Sequence, residues 1–268
     1  MTDEASEATR ATWRRGSYEV VGDWFAAASR DVLVGADGPL ALAGRDVLDV
    51  ACGTAAVAIE AAAQGARVTG VDLTPEMLTT AAARAAASGV DLTLAEGSFE
   101  DLGRFGAFDV VASAFGVIFA ADPVAVAAEL SRACRPDGTV AVAAWHRDGA
   151  LGGPPPAMRA LLPGGGVDGT RWAEPDEVAR FFAPAGLRVV GARRSTLAIP
   201  FASAAAAVDA FLMWSGPWMA VFDLLAAQGR SDDGRVALEA HLAERSDPAP
   251  GGIALRADYT VTHLRRQN

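Results

Sequence analysis

The sequence predicts an α/β fold: a doubly wound, mostly parallel sheet of seven strands, with a helical segment inserted before the last strand. Three observations predict it. Short apolar runs alternate with helix-forming segments from residue 46 to residue 145. These runs are continuously apolar, as in strands that helices cover on both faces. Two long strand-like segments, 187–199 and 253–265, enclose three helical stretches near the end of the chain.

The first part of the chain predicts a helical cap, a strand and a tight turn. Residues 17–34 carry apolar side chains at roughly helical spacing. Asp46–Ala51 is a short apolar run that predicts the first strand of the sheet, and it ends in the turn Cys52–Thr54. Residues 54–64 are good helix formers and are followed by Gly65, which predicts the end of that helix.

The same alternation continues through the next four strands. Two helix starts are marked by a polar residue followed by proline, Thr74 before Pro75 and Asp122 before Pro123. The polar residue caps the helix, and proline suits the first helical position. The strands are predicted at residues 67–71, 91–95, 108–114 and 139–145.

After His146 the composition changes to a connection rich in glycine and proline. A helix is predicted near 175–185, before the strand at 187–199. Further helices are predicted near 203–214, 217–228 and 232–245, and because they interrupt a terminal β-hairpin we expect them to form a lid. The expected divisions are an N-terminal helical cap (1–35), an α/β core (36–146), a linker with a helix and the sixth strand (147–202), a helical lid (203–250) and the last strand (251–268).

Composition excludes several classes of function. The 268 residues suggest one large domain or a domain with a sizeable insert. No apolar run approaches the roughly 18 residues of a membrane span, and the acidic N-terminus does not resemble a secretory signal. The formal net charge of -10 disfavours a nucleic-acid substrate, because such a surface repels phosphate backbones.

Cysteine and histidine usage indicates neither disulfides nor a metal site. Cys52 and Cys134 lie in apolar segments, so we expect them to be buried and reduced, as in a cytoplasmic protein. Two cysteines and three scattered histidines show no metal-ligand spacing. We therefore expect no metal. Sequence alone leaves the oligomeric state open, with a homodimer as one alternative.

The strand ends predict where a ligand binds. In doubly wound sheets the ligand lies beyond the carboxyl ends of the strands. This rule places five segments around one crevice: Asp49–Thr54, Asp72, Gly97–Phe99, Ser113–Phe115 and Trp145–His146.

Two features of this crevice favour a nucleotide-like ligand. In Val47–Ala55 an acid inside a strand is followed by a turn of small residues and then by a helix start. Gly53 lets the backbone of this turn approach a ligand closely, and the free N–H groups of the helix start would face that ligand. Asp72 ends the next strand, near the position about 20 residues on where an acid binds ribose hydroxyls. Small-residue turns are common in α/β proteins, and Asp72 could also be an ordinary solvated loop acid.

Five segments in order resemble the class I S-adenosylmethionine (SAM)-dependent methyltransferase family, in its branch similar to ubiquinone and menaquinone methylases. They are VLDVACGTA, VTGVDLTPEML, AEGSFEDL, FDVVASAFGVIFAADP and RPDGTVAVAAW, and they cover residues 45–145. The resemblance implies the Rossmann-like methyltransferase fold, SAM as cofactor, S-adenosylhomocysteine as product and a small-molecule acceptor.

The resemblance also implies a role for individual residues. The loop of Asp49 would hold the methionine part of SAM, and Asp72 would bind its ribose. The full set of residues implied to hold SAM is Trp13, Tyr18, Asp49, Ala51, Gly53, Asp72, Leu73, Met77, Gly97, Ser98, Phe99, Ala114 and Phe115. Trp13 and Tyr18 would close over the cofactor, although helix packing explains them equally well.

Three positions depart from the family pattern. Ala51 and Ala55 stand where the family usually has glycine, and Ser98 stands where it often has aspartate. Alanine is small enough for the backbone to stay close to the ligand. A dinucleotide is the alternative cofactor, but the turn lacks the G-x-G-x-x-G pattern, and Asp49 would repel a pyrophosphate.

The acceptor side is predicted from aromatic and methionine side chains. We expect the pocket to be lined by Phe119, Trp145, Met213, Trp214 and Trp218, which suit a planar or apolar acceptor such as a quinone, a lipid or a specialised metabolite. The same residues could simply pack helices together. His146, at the end of the fifth strand, is the candidate general base, and a solvent-exposed loop histidine is the alternative.

Two other functions remain open from the sequence. SAM could serve a non-methylating reaction such as a cyclisation. The chain could also be a non-catalytic SAM-binding module, for which Ala51, Ala55 and Ser98 give some room.

Overall fold

The structure, a computed structural model, describes residues 3–160 and 167–266. The described helices are α1 (Asp3–Arg14), α2 (Tyr18–Trp24), α3 (Ala26–Val32), α4 (Ala56–Ala63), α5 (Pro75–Ala87), α6 (Pro123–Ala133), α7 (Pro156–Arg159), α8 (Pro175–Phe182), α9 (Ala204–Trp214), α10 (Gly216–Ala226) and α11 (Ser231–Glu244). The described strands are β1 (Val34–Gly35), β2 (Gly38–Pro39), β3 (Asp46–Val50), β4 (Arg67–Asp72), β5 (Thr93–Glu96), β6 (Phe108–Ala114), β7 (Cys134–Trp145), β8 (Leu187–Phe201), β9 (Ser246–Ala249) and β10 (Gly252–Arg266).

The main sheet confirms the predicted fold class. Its strands lie in the order β5-β4-β3-β6-β7-β10-β8, and the short β9 adds to β10. Strands β3 to β7 are parallel to their neighbours, whereas β10 runs antiparallel to β7, β8 and β9. The seven strands of this path are the seven that the sequence predicts.

The strand order reverses direction between β3 and β6. From β3 the chain proceeds outward to β4 and β5, and from β6 it proceeds the other way to β7. Because parallel crossovers are right-handed, this reversal places helices on opposite faces of the sheet. Accordingly, α3 packs on α4, and α6 packs on α8. The gap between β3 and β6 is the topological switch point, where ligands bind in such sheets.

The N-terminal cap differs in detail from the predicted single helix over 17–34. The structure breaks it at Phe25 into α2 and α3. The Phe25 backbone leaves the helical conformation (φ −95°, ψ 3°), and its ring packs against Phe115 and Trp145 of the sheet. The helix break thus coincides with the packing of this half-buried ring on two aromatic residues of the sheet.

The three helices between β8 and β10 were expected as a lid. They are present as α9, α10 and α11, and each contacts another of the three. Their function as a lid stays a prediction. Within the described residues no single helix is long and apolar enough to span a membrane. Helices α9 and α10 reach that length and composition only as a pair that bends by 98° at its junction.

Candidate functional site

The turn after β3 is shaped by left-handed backbone conformations. Ala51 (φ 54°), Gly53 (φ 52°) and Ala55 (φ 66°) all adopt them. Only glycine does so without cost, and an L-residue there is strained by roughly 1–2 kcal/mol. Ala51 and Ala55 are the two positions where the family usually has glycine, so this chain keeps the shape of the turn at an energetic cost.

Asp72 fixes this turn from the neighbouring strand. Its Oδ2 accepts a hydrogen bond from the Gly53 backbone N–H at 2.8 Å, and its Oδ1 accepts one from the Thr74 N–H at 2.9 Å. The carboxylate therefore joins the turn after β3 to the start of α5. Asp72 is 9% exposed, and burial raises its pKa.

Asp49 is the second buried carboxylate at this edge. It is 2% exposed, and its Oδ2 accepts a hydrogen bond from the Ala58 N–H at 3.0 Å. Burial raises the pKa of Asp49 to about 7, and the negative charge of Asp72 adds to the rise. Within residues 3–160 and 167–266, neither carboxylate forms an ion pair with an arginine. This edge of the sheet therefore holds two acids whose ionised form a nearby cation would favour.

A cavity of about 230 Å³ lies at this edge of the sheet, lined by Thr74, which is hydrogen-bonded to Asp72, but not by Asp49 or Asp72 themselves. It lies between the N-terminal cap and the ends of β3 and β4. Its wall is formed by Trp13, Arg14, Gly16, Ser17, Tyr18, Thr54, Thr74, Glu76, Met77 and Thr80. Trp13, Tyr18 and Met77, three of the residues expected to hold SAM, thus line one cavity. Thr54 belongs to the segment predicted at the crevice and Thr74 was named as a helix cap, whereas Thr80 was not singled out.

The cap is held down by charge pairs and by direct contact. On α1, Arg10 pairs with Glu96 at 2.7 Å and Arg14 with Glu76 at 3.0 Å. On α2, a Cβ at Gly22 would lie only 2.6 Å from the Thr54 Oγ1, so glycine permits this close approach.

The cavity is smaller than the roughly 300–1,000 Å³ of ordinary ligand pockets. A full-sized ligand would therefore require the cap to move outward.

The cap is also tied to the inserted helices. The Tyr18 hydroxyl accepts a hydrogen bond from the Gly216 N–H at 2.9 Å, and the Ser17 N–H donates to the Trp214 carbonyl at 3.1 Å. Trp13 packs its ring on Tyr18, with centroids 5.7 Å apart. Movement of the cap would consequently move α9 and α10.

The residues predicted at the adenine edge are not part of the cavity wall. The Gly97 N–H donates to the Asp72 carbonyl at 2.9 Å, which continues the pairing of β4 and β5. The Ser98 hydroxyl accepts from the Glu100 N–H at 3.1 Å, in a local turn. Leu73 and Phe99 are half-buried. Their predicted contact with adenine stays a prediction.

An aromatic cluster closes the other end of the crevice, beyond β6 and β7. Phe115 has a left-handed backbone (φ 61°), and its ring stacks on Trp145 with centroids 3.6 Å apart. Phe25 contacts both rings at 5.3 and 5.0 Å, and Tyr259 lies edge-on at 5.8 Å from Phe115. Ala114, which precedes Phe115, is half-buried. Sequence reasoning missed Phe25 and Tyr259 as members, because only the folded chain brings them to Phe115.

His146 lies beside this cluster but faces β10. Its Nε2 is 2.6 Å from the Thr260 hydroxyl, and its Nδ1 is 3.7 Å from the Glu174 carboxylate. The residue is buried, and burial lowers its pKa. An acceptor would have to displace one of these partners before the imidazole could take its proton. Its role as a base stays a prediction.

The residues predicted to line the acceptor pocket face different surroundings. Phe119 is 43% exposed and packs edge-on against Trp13, with centroids 4.8 Å apart. Trp214 packs on Trp24 at 5.5 Å, and Trp218 stacks on Phe211 at 6.0 Å. Met213 is 62% exposed, and Trp145 is buried under Phe115. Within the described chain, no group of three or more histidine, cysteine or acidic residues is placed to hold a metal ion.

Comparison with known proteins gives the family. A family model described as a methyltransferase domain matches residues 47–138. An uncharacterized protein of Mycobacterium tuberculosis is 42% identical over 154 residues, which are 56% of this chain and 55% of that protein. A ubiquinone biosynthesis O-methyltransferase of Aromatoleum aromaticum is 32% identical over 154 residues, 54% of this chain and 65% of that protein. The chain thus spans a little over half the length of the mycobacterial relative.

A solved structure gives the same fold at low identity. The BH2331 protein of Bacillus halodurans superposes with a TM-score of 0.59 at 15% identity, over 91% of this chain and 99% of that chain. Residues 47–138, which include the switch point and both buried carboxylates, therefore match a methyltransferase domain, and the chain is similar to methyltransferases of this family.

Proposed function

We propose that this protein transfers the methyl group of SAM to a small molecule. The observation that carries the proposal is the pair of buried carboxylates, Asp49 and Asp72, at the same edge of the sheet as a cavity that Trp13 and Tyr18 line. SAM carries a sulfonium and an ammonium group, and both would stabilise ionised acids that have no arginine partner in the described part of the chain. An anionic dinucleotide would be repelled from the same edge.

The residues of the crevice fit the parts of this cofactor. Asp72 would bind ribose hydroxyls through its carboxylate oxygens, which also accept from the Gly53 and Thr74 N–H groups. The turn at Ala51 to Gly53 and the Asp49 carboxylate would hold the amino-acid part, and Leu73 and Met77 would contact the adenine. Trp13 and Tyr18 would exclude water and place aromatic faces near the cation.

When bound, SAM supplies an electrophilic methyl group on a good leaving group. The protein then has to hold an acceptor atom in line behind that methyl and keep water out. Such positioning can contribute roughly 7–11 kcal/mol. The stacked rings of Phe115 and Trp145 offer a rigid wall at this end of the crevice. For a hydroxyl acceptor, His146 is the proposed general base.

A small-molecule acceptor is supported by charge and by family. A net charge of -10 disfavours nucleic acids, and the Aromatoleum relative is named for ubiquinone biosynthesis. We therefore propose a planar or apolar acceptor, such as a quinone, a lipid or a specialised metabolite. Helices α9 to α11 would cover it, since α10 is already tied to Tyr18 of the cap.

Calorimetric titration of the folded protein with SAM and with S-adenosylhomocysteine tests the proposal. We expect both to bind, and Asp72→Asn to lower SAM affinity by about tenfold or more through loss of a charged hydrogen bond. The matched control is Asp137→Asn, an exposed acid in β7. Absence of heat with either ligand would refute the proposal, and SAM binding with no demethylated product from any acceptor would favour a non-methylating reaction.

A further inference from the structure

The bend between α9 and α10 depends on partners from outside these two helices. They meet at an angle of 98°, and residues 214–216 form the α9–α10 junction. Such a bend leaves carbonyl groups at the end of one helix and N–H groups at the start of the next without intrahelical partners. Ser215, at the N-cap position of α10, makes no capping hydrogen bond with its side chain.

The segment that joins α1 to α2 supplies a partner on each side of the bend. The Ser17 N–H donates to the Trp214 carbonyl at 3.1 Å, at the end of α9. The Tyr18 hydroxyl accepts from the Gly216 N–H at 2.9 Å, at the start of α10. Burial raises the pKa of Tyr18 to about 12, so the hydroxyl that makes this bond stays neutral near pH 7.

Two glycines let the cap approach the junction this closely. A Cβ at Gly16 would lie 2.6 Å from the Trp214 carbonyl oxygen, and a Cβ at Gly216 would overlap the Thr12 carbonyl oxygen. Cβ atoms do not come so near other atoms, so a larger residue at either position would force the cap and the junction apart.

The same segment forms part of the cofactor side of the crevice. Trp13 and residues 16–18 line the cavity of about 230 Å³ where SAM is proposed to bind. Between them, Arg15 pairs with Asp223 of α10. Residues 13–18 therefore contact both the space proposed for the cofactor and a helix proposed to cover the acceptor.

We propose that residues 13–18 couple the cofactor site to the acceptor side of the crevice: a cofactor that contacts Trp13 and Tyr18 holds the Tyr18 hydroxyl on the Gly216 N–H and thereby orders the α9–α10 junction. The cap and the junction then move as one unit when the cavity enlarges. Because coupling between two sites is reciprocal, an acceptor that orders the junction would strengthen cofactor binding by the same factor. The inference rests on the proposed function, since it takes SAM as the ligand under the cap.

The two tyrosines of this chain provide a matched pair of variants. Tyr18→Phe removes the hydroxyl that bonds the junction, whereas Tyr259→Phe removes one that donates to Asp31 of α3. Both variants keep the aromatic ring. Amide hydrogen exchange, measured by NMR on the full chain with and without saturating S-adenosylhomocysteine, reports on α2 and on the start of α10 separately.

In the wild-type protein we expect the ligand to slow amide exchange in α2 and, by about threefold or more, at Gly216 and Met219. In Tyr18→Phe the slowing in α2 should remain and the slowing at Gly216 and Met219 should be lost. In Tyr259→Phe both should remain. Slowing confined to α2 in the wild-type protein, or equal slowing at Gly216 in Tyr18→Phe, would overturn the coupling.

Gly216→Ala tests the same contact from the other side. Its Cβ would part the cap from the junction, so the slowing at Met219 should be lost while that in α2 remains. Retained slowing at Met219 in this variant would contradict the coupling. If neither variant folds, as judged by circular dichroism, the wild-type comparison decides the question alone.

Calorimetry under the same conditions separates this inference from the proposed function. If S-adenosylhomocysteine binds and the α9–α10 junction does not respond, the coupling is wrong and the methyltransferase proposal stands. If no heat of binding is observed, the proposed function fails and the coupling fails with it.

Discussion

Asp49 should make the stability of this protein depend on pH. Burial raises its pKa from 3.8 to about 7. The folded state therefore holds the proton more tightly than the unfolded state, so the stabilisation is complete below about pH 4 and is lost as the pH rises through 7. At about 1.36 kcal/mol for each pH unit, the whole loss is about 4 kcal/mol. About 2.6 kcal/mol of it falls between pH 5 and pH 8.

The variant Asp49→Asn isolates this contribution. Asparagine keeps an oxygen that can accept from the Ala58 N–H but does not titrate. Free energies of unfolding from urea denaturation should therefore diverge, with the variant gaining about 2.6 kcal/mol relative to wild type from pH 5 to pH 8. Asp137→Asn should stay parallel to wild type over the same range. Parallel curves for Asp49→Asn as well would refute the reasoning.

The same carboxyl links proton release to cofactor binding. A cation beside Asp49 favours the ionised form, so SAM affinity should rise by up to about tenfold for each pH unit below 7 and level off above it. Calorimetry at pH 6 in two buffers of different ionisation enthalpy should detect a released proton. If the affinity is flat from pH 5.5 to pH 8 although Asp49 titrates in the unfolding experiment, the cationic groups do not bind near this carboxyl.

Three further substitutions test the cap, the turn and the proposed base. Gly22→Val should push α2 away from Thr54 and weaken SAM binding by about tenfold in calorimetry, and unchanged affinity would mean that the cap is not part of the site. Ala55→Gly should raise the free energy of unfolding in urea by about 0.5–1 kcal/mol by relieving the left-handed strain, whereas Ala58→Gly, inside α4, should lower it; a loss in both would contradict the strain argument. His146→Gln should lower kcat by about 10²–10⁴-fold with a hydroxyl acceptor if the imidazole is the base. An unchanged kcat would mean that His146 has only a structural role, in the hydrogen bond to Thr260 that joins β7 to β10.

The sheet was predictable because its signals are local. Each core strand is a short, continuously apolar run, and proline marks the helix starts after Thr74 and Asp122. The Asp122 side chain makes the predicted cap, whereas the cap predicted at Thr74 was wrong, because its side chain makes no capping hydrogen bond. The rule for strand ends then placed Asp49, Gly53 and Asp72 at one edge without any knowledge of contacts. Those residues lie as expected, with Asp72 bonded to Gly53 across two strands.

The remaining features depend on contacts between segments distant in sequence. Phe25 leaves its helix to pack on Phe115, and Tyr259 reaches the same ring from the last strand. No periodicity in the sequence indicates either contact.

The aspartates at the two edges of the parallel sheet differ in their charged partners and in the direction of their pKa shifts. At the amino edge, Arg135 lies 2.8 Å from Asp46 and 2.7 Å from Asp109, and these arginine contacts help to lower the pKa of both acids. At the carboxyl edge, Asp49 and Asp72 are more deeply buried, lack arginine partners within the described residues, and have raised pKa values. Arginine side chains therefore compensate the charge of the acids at the amino edge, where these acids serve only the fold. The absence of such compensation at the carboxyl edge leaves an energetic cost that a cationic ligand would remove, so the cofactor would stabilise the fold at the point where it binds.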